Sequence, residues 1–314
     1  MKKMSILLAL SGSEQSYEAA QLAWNLAASV DATVTAQHVV DTQSAWALLG
    51  NAKPGLIGSG LYIAAYETLC GSLKTLAGKL AEKYEQMDGA HKIGSTCVVD
   101  EGDPIHEISS RAKEHDLVVV GHSPTVAKTP GWKKFSKASV AEGLSNSCSK
   151  PLLVVQRRPV PWKSLKILVS IEHLNIEYIL SCLCNAHRLN LKPQLVCLAT
   201  GVHEENPKDI ICNLRKAHEE LADVEIEVAL FGDFAAHEGA SLWSHKPIRV
   251  ELDAYADSLV VVPTREIGGK RITIFGSSPE MFIEYLTLPT ILFFPEEVPA
   301  KAMYQPKVAS TSKK

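Results

Sequence analysis

Short apolar runs alternate with amphipathic segments along the first half of the chain. Ile6–Leu10 is a continuous apolar run typical of a strand buried on both faces of a parallel sheet, and Val34–Val40 and Leu117–Val120 are predicted as further strands. Between the second and third runs, Leu69, Leu73, Leu76 and Leu80 recur at helical spacing, which predicts a long helix. Alternating strands and helices predict a doubly wound α/β fold with a mostly parallel sheet.

Polar residues mark where the helices of this half begin. Ser11 and Glu14 have the spacing of a capping box, so we expect a helix to start there. Asp103-Pro104 predicts another start, because Asp is a good N-cap and Pro suits the first helical position. A third strand near Cys97–Val99, a helix at Ser139–Ser147 and a fifth strand at Leu152–Val155 complete the half.

The second half repeats these features in the same order. The matched pairs are Ile6–Leu10 with Ile167–Ile171, Gly102-Asp103 with Gly232-Asp233, Leu117–Val120 with Leu259–Val262, and Ser139 and Pro151 with Ser277 and Pro289. Their spacing drifts from pair to pair, as expected for two copies of one fold that differ in loop lengths.

The repeat defines the domain organisation. We expect one domain at residues 1–158 and a second at residues 165–295. Residues 159–164 form a linker that Pro159 and Pro161 stiffen. Residues 296–314 carry little apolar pattern, so we expect a disordered tail.

Composition and charge exclude several classes of protein. The 314 residues have a formal charge of −3, which lacks the basic excess of a dedicated nucleic-acid binder. Seven cysteines are too few and too irregular for a disulfide scaffold. The apolar runs fall short of the roughly 20 residues that a membrane helix needs. We therefore expect a cytoplasmic protein with reduced thiols and no contact with membranes or nucleic acids.

The common catalytic and metal-binding motifs are missing. No His-Glu pair continues to the second histidine of a zinc protease, and neither a G-x-S-x-G elbow nor a G-x4-G-K-[ST] phosphate loop occurs. Cys182 and Cys184 are two positions apart on a predicted helix, so they face different directions and cannot hold a metal together. The sequence therefore indicates neither a catalytic residue nor a metal site.

Several motifs together resemble the universal stress protein family, over about residues 4–156 and 165–295. They are I-L-L-A-L-S-G-S-E-Q-S at Ile6–Ser16, Gly102-Asp103-Pro104, A-S-V-A-E at Ala138–Glu142 followed by Pro151–Val155, and Gly276–Glu280 followed by Pro289. The resemblance implies an adenine-nucleotide α-hydrolase-like, Rossmann-like fold. It also implies two tandem doubly wound, mostly parallel five-stranded sheets packed as a pseudo-dimer. Leu152–Val155 would then pair with Thr290–Phe294.

The ATP-binding branch of this family has a G-x2-G-x9-G-[ST] motif after the fourth strand. Glycines there let the backbone approach phosphates, and the final Gly-Ser begins a helix whose free N–H groups favour anions. The first half keeps Gly121, but Pro124 and Ala138 replace the other glycines and four extra residues intervene. The second half keeps Gly276-Ser277, but Pro263 and Glu266 replace the first two glycines.

The resemblance therefore implies a partial adenine-nucleotide site in each half, with ATP or AMP as the ligand. The residues at the family's contact positions are Ser11, Val39, Gly121, Ser139 and Val140 in the first half, and Glu172, Ala199, Gly276, Ser277 and Ser278 in the second. Alternatively, these are turn and cap residues that bind nothing, with Ser139 and Ser277 as N-caps.

Two features near the first site have alternative interpretations. Four lysines make the insertion of the first half basic, and they form either a solvated loop or a lid over an anion: Lys128, Lys133, Lys134 and Lys137. His122, directly after Gly121, is interpreted as a loop residue rather than a base.

Three functional hypotheses follow from the resemblance. The first is a stress-response protein that acts by binding rather than turnover. The second is an ATP- or AMP-dependent switch, or a slow ATPase, that uses one half. The third is a scaffold that binds no nucleotide and acts through protein partners. In each case two chains can also associate as a homodimer.

Overall fold

The computed structural model describes residues 3–50, 59–123, 139–170, 174–200, 207–231, 255–273, 277–286 and 288–297. In the first half the strands are β1 (Ser5–Ala9), β2 (Thr33–Asp41), β3 (Thr96–Gly102), β4 (Leu117–Gly121) and β5 (Leu152–Val155). The helices are α1 (Glu14–Val30), α2 (Thr42–Gly50), α3 (Ser59–Glu85), α4 (Asp88–Ile93), α5 (Pro104–Ala112) and α6 (Val140–Ser147).

The second half has the same alternation. Its strands are β6 (Ser164–Ser170), β7 (Lys192–Thr200), β8 (Glu225–Phe231), β9 (Ser258–Ile267), β10 (Lys270–Thr273) and β11 (Thr290–Pro295). Its helices are α7 (Ile176–Arg188), α8 (Pro207–Ala217) and α9 (Pro279–Tyr285), with a 3-10 turn at Glu219–Leu221.

The eleven strands in the described part of the chain belong to one continuous sheet. Its order is β3-β2-β1-β4-β5-β11-β9-β6-β7-β8, and β10 pairs with β9. Read from its outer edge inward, the first half has the order β3-β2-β1-β4-β5 and the second half has the order β8-β7-β6-β9-β11. The two halves therefore share the same doubly wound order. Pairing within each half is parallel except for the β9–β10 hairpin. The predicted fold class is confirmed.

The two halves join through their last strands. β5 and β11 run antiparallel, with Thr290 opposite Val155 and Phe293 opposite Leu152. This is the pairing that the family resemblance implied. It leaves neither closing strand as an open edge, and open edges invite aggregation.

Both faces of the sheet are covered by helices, as continuous apolar strands require. Ile6 and Leu8 of β1 belong to an apolar cluster on one face, which also includes Trp24 of α1 and Tyr178 of α7. Leu7 and Ala9 belong to the cluster on the other face, which takes in residues of α5, α6 and α9. Each cluster contains residues of both halves, so the halves share their cores.

The chain remains attached to the sheet just past β11. The N–H of Glu296 donates to the carbonyl oxygen of Thr264 at 2.8 Å, and Glu297 accepts from the N–H of Glu266 at 2.8 Å. The rest of the expected tail lies outside the described residues. Among the helices that the structure describes, none is long and apolar enough to span a membrane.

Candidate functional site

A pocket of about 280 Å³ lies where the winding of the first half reverses. From β1 the chain winds to one side of the sheet through β2 and β3, and β4 begins the other side. Ligands of doubly wound sheets bind at this switch point, beyond the carboxyl ends of the strands. The lining includes all five residues singled out in the first half, which are Ser11, Val39, Gly121, Ser139 and Val140.

The wall next to β1 consists of serines that begin α1. Ser13 is the N-cap of α1, and its hydroxyl accepts from the N–H of Ser16 at 3.2 Å. The predicted capping box at Ser11 and Glu14 is therefore wrong by two residues. Ser11 lies before the helix, where its N–H donates to the hydroxyl of Ser16 at 2.7 Å. Its own hydroxyl is exposed and lies 3.0 Å from that of Ser13.

The start of α6 forms the opposite wall. Ser139 is the N-cap and makes a capping box with Glu142. Its hydroxyl accepts from the N–H of Glu142 at 3.2 Å, and its N–H donates to Glu142 Oε2 at 2.7 Å. Val140 and Ala141 occupy the first two helical positions, where N–H groups have no acceptor within the helix. Both residues line the pocket, so this wall offers donors to an anion.

Val39 presents backbone groups at the end of β2. Gln37 accepts from the N–H of Leu10 at 2.8 Å, so its carbonyl group faces β1. In a strand, residues two apart point their backbone groups to the same side. The N–H and carbonyl of Val39 therefore face the pocket side, beyond the end of β1. These groups can pair with the edge of a flat ring.

His122 lies just past the end of β4, as expected for a loop residue, but it is buried in this pocket. It is 4% exposed, and its N–H extends the β4–β5 ladder by donating to Val155 at 2.8 Å. Its Nδ1 lies 3.2 Å from the hydroxyl oxygen of Ser139. The two-residue period of a strand could have indicated this burial, since His122 follows the buried Val120 by two positions and shares its face.

Burial determines the charge of His122. It lowers the pKa of the imidazole below its ordinary value, and the Glu142 carboxylate opposes that shift only in part. The ring is therefore neutral at pH 7. The tautomer of the neutral ring sets which of the two, His122 Nδ1 or the Ser139 hydroxyl, donates in their hydrogen bond.

The candidate residues of the second half are only partly included in the described part of the chain. Glu172 and Gly276 lie outside the described residues, and Ala199 is in β7. Ser278, not Ser277, is the N-cap of α9, and its side chain makes no capping hydrogen bond. Ser277 instead turns its carbonyl oxygen to Thr273, whose N–H donates to it at 2.9 Å.

Two further features of the second half disfavour an anion. Pro279 occupies the first position of α9, where it removes an N–H group, and the carboxylate of Glu280 follows directly. In place of a phosphate loop, the chain after β9 forms a hairpin with β10, in which Glu266 lies opposite Arg271. Cross-strand hydrogen bonds occupy the backbone there.

Of the remaining sequence-derived candidates, some lie outside the described residues and others lie away from the pocket. The basic insertion, with Pro124 and Ala138, lies in 124–138, outside the described residues. Cys182 is buried in α7, and burial raises the pKa of its thiol, so it stays protonated. Within the described ranges, no three His, Cys, Asp or Glu side chains are grouped to hold a metal.

Comparisons with known proteins agree with this architecture. Residues 4–156 match the universal stress protein family. A universal stress protein from Archaeoglobus fulgidus aligns with 94% of this chain and 100% of its own, at 15% identity and a TM-score of 0.57. A protein from Pseudomonas aeruginosa described as a putative universal stress protein covers 96% of this chain and 95% of its own, at 12% identity and a TM-score of 0.50.

At these identities the two solved structures establish the fold alone. Both extend over the two halves, in agreement with the repeated strand order. No curated protein matches the sequence. The family match at residues 4–156 contains the whole of the switch-point pocket, so the first half carries a domain of the universal stress protein family.

Proposed function

We propose that the first half binds an adenine nucleotide in the switch-point pocket and that the protein acts through this binding, in a stress response. One observation carries the proposal. Ser11, Val39, Gly121, Ser139 and Val140 come from four separate parts of the chain, yet they line one cavity at the place where such sheets bind ligands. They are also the positions that the family uses for nucleotide contacts.

The walls of the pocket suit the two ends of a nucleotide. Val39, Pro104 and Ile108 provide apolar surface for a base, and the backbone of Val39 faces the same side. The N–H groups of Val140 and Ala141, at the positive end of the α6 dipole, suit a phosphate. The base would lie toward β2 and the phosphates toward α6.

The proposal places the site in one half only. Pro279 withholds the N–H group that Val140 offers at the same position of the first half. The β9–β10 hairpin takes up the backbone that would otherwise surround phosphates. We therefore expect one nucleotide per chain rather than two.

A single substitution in α6 tests the phosphate end. Val140→Pro removes the N–H group but suits the first helical position. Ser139, at φ −60° and ψ 157°, already has the backbone conformation that a residue before proline needs. Val140→Ala is the matched control, because it trims the side chain and keeps the N–H. Losing a hydrogen bond to a charged phosphate costs about 1.5–3 kcal/mol, so Val140→Pro should weaken binding roughly 10- to 100-fold.

Calorimetric titration with ATP, ADP and AMP measures this effect, with thermal unfolding as the check that both variants fold. Mass spectrometry of small molecules released from the denatured wild-type protein identifies any nucleotide that copurified with it. Wild-type protein that releases no nucleotide and gives no heat with any of the three contradicts the proposal. Equal affinities for Val140→Pro and Val140→Ala would place the phosphate away from α6.

A further inference from the structure

An apolar cavity lies between the two halves, on the side of the sheet that α1 and α7 cover. Its volume is about 70 Å³. On the other side of the sheet, α6 and α9 pack against each other and close the junction. α1 and α7 instead each contribute to the cavity wall, through Leu26 and Val30 of α1 and through Leu189 just past α7. The junction is therefore closed on one face of the sheet and hollow on the other.

The floor of the cavity is the centre of the sheet. Leu153 of β5 lines it, together with Leu292 and Phe294 of β11. Every other residue of β11 is buried, whereas Leu292 is partly exposed. A partly exposed leucine in the middle of a central strand shows that the helices leave part of the floor uncovered.

The cavity is long and narrow. Leu117 at the start of β4 and Leu165 near the start of β6 both line it. Because the two halves join through antiparallel strands, the starts of β4 and β6 lie toward opposite edges of the sheet. A volume of about 70 Å³ that extends between these edges suits a thin, unbranched molecule.

Most polar groups of the lining are already engaged. Asp116 accepts from the N–H of Ser5 at 2.8 Å and from its hydroxyl at 3.1 Å. Trp162 Nε1 donates to Thr290 at 3.0 Å, which leaves its ring as apolar surface. Burial raises the pKa of Cys182, whose protonated thiol behaves as a small apolar group. A polar ligand would find no partner among these groups, so the cavity suits an apolar one.

The cavity is continuous with a wider groove of about 460 Å³. Leu26, Trp162 and Leu189 line both of them. The outer residues of α1 and the linker between the halves form the rest of the groove, and many of these residues are polar. A molecule with an apolar chain in the cavity can therefore place a polar end in the groove.

Two arginines give this end of the site a positive charge. Arg158 of the linker lines the groove, and Arg188 at the end of α7 lines the cavity. Within the described part of the chain, neither guanidinium has an ion-pair partner. Glu18 is the one carboxylate among the described residues of the groove. Two free guanidinium groups against one carboxylate favour an anionic end group.

We propose that the cavity and the groove together bind a medium-chain fatty acid, with the alkyl chain in the cavity and the carboxylate beside Arg158 and Arg188. A water-sized group needs about 10–15 Å³, so a cavity of about 70 Å³ has room for roughly five methylene-sized groups. The remaining carbons and the carboxylate extend into the groove, and octanoate and decanoate have a suitable length. The site shares no lining residue with the switch-point pocket, so the proposal does not depend on nucleotide binding.

The first experiment varies the length of the alkyl chain. The full-length protein is titrated calorimetrically with saturated fatty acids from hexanoate to dodecanoate, each below its micelle-forming concentration. Affinity should rise by about fourfold for each added methylene until the cavity is filled, and then level off. Decanoate should also raise the midpoint of thermal unfolding, because it contacts both halves of the folded protein. Protein that binds no member of the series, or binds all of them equally, overturns the proposal.

A substitution in the floor tests the place of the chain. Leu292→Trp fills the cavity and should weaken decanoate binding by roughly tenfold, the equivalent of losing about two buried methylene groups. Leu76→Trp, the same substitution at an exposed position of α3, is the matched control and should bind like wild type. Thermal unfolding checks that both variants fold, and Leu26→Phe, which narrows the cavity from α1, is used if Leu292→Trp does not. Wild-type affinity in a folded cavity variant overturns the proposal.

Substitutions at the mouth test the carboxylate. Arg158→Gln and Arg188→Gln should each weaken decanoate binding by up to about fivefold, as for an exposed ion pair, and leave decanol binding unchanged because the alcohol has no charge. Lys79→Gln, at an exposed position of α3, is the matched control for the lost charge and should bind decanoate like wild type. Undiminished decanoate binding in both arginine variants, or an equal loss for decanoate and decanol, would show that the arginines do not bind the carboxylate.

Discussion

Packing alone requires a glycine at position 121, whether or not a ligand binds. A Cβ atom at this position would lie 2.5 Å from the carbonyl carbon and oxygen of Gln15, so the end of β4 touches the backbone of α1. Gly121→Ala should lower the free energy of unfolding by about 1–3 kcal/mol, the usual cost of overpacking. Gly12→Ala, where no atom lies within 4 Å, should stay within about 0.5 kcal/mol of wild type. Urea denaturation of both variants checks this, and equal stabilities would contradict it.

For single residues, the sequence predicts which positions belong to the site better than it predicts what each side chain contacts. The motifs place Ser139 at a helix start, and the structure shows it as the N-cap. They do not show that Ser13, rather than Ser11, caps α1, because three serines close together offer alternative caps. Nor do they predict the contact of His122 with Ser139, which depends on how α6 packs over the end of β4.

Among the elements, the β9–β10 hairpin is the clearest departure from the motif. Counting glycine spacings predicts a phosphate loop with substitutions, whereas the chain pairs with itself. Gly268 and Gly269 have φ of 59° and 75°, the left-handed conformation that a two-residue hairpin turn needs. Two adjacent glycines after an apolar run were the signal for a hairpin. The spacing of glycines alone cannot distinguish such a hairpin from a phosphate loop.

Helix α3 is attached to the first half by a buried chain of hydrogen bonds. Trp24 Nε1 donates to the Tyr84 hydroxyl at 3.0 Å, and that hydroxyl lies 2.7 Å from Ser95 Oγ. Tyr84→Phe leaves the Trp24 N–H without its acceptor, so it should lower the free energy of unfolding by about 1–3 kcal/mol. The exposed Tyr17→Phe is the matched control and should change stability by less than about 0.5 kcal/mol. Similar urea midpoints for the two variants would show that the buried chain contributes little.

For the whole molecule, the repeat in the sequence predicts more than either half alone. The family resemblance implied that the last strands of the two copies pair, and β5 pairs with β11. The sharing of both cores between the halves could not be predicted, since it depends on which helices lie beside the junction.

A shared core has a measurable consequence for unfolding. Ile291 is fully buried and lies opposite Val154 across the junction. Ile291→Ala should cost about 2–5 kcal/mol, and the loss should appear in both halves because neither closes its core alone. Hydrogen exchange monitors this, with β4 reporting on the first half and β9 on the second. Ile267→Ala, the same substitution at an exposed position of the hairpin, should leave exchange of both strands nearly unchanged. If Ile291→Ala speeds exchange in β9 but not in β4, the halves unfold independently despite the shared core.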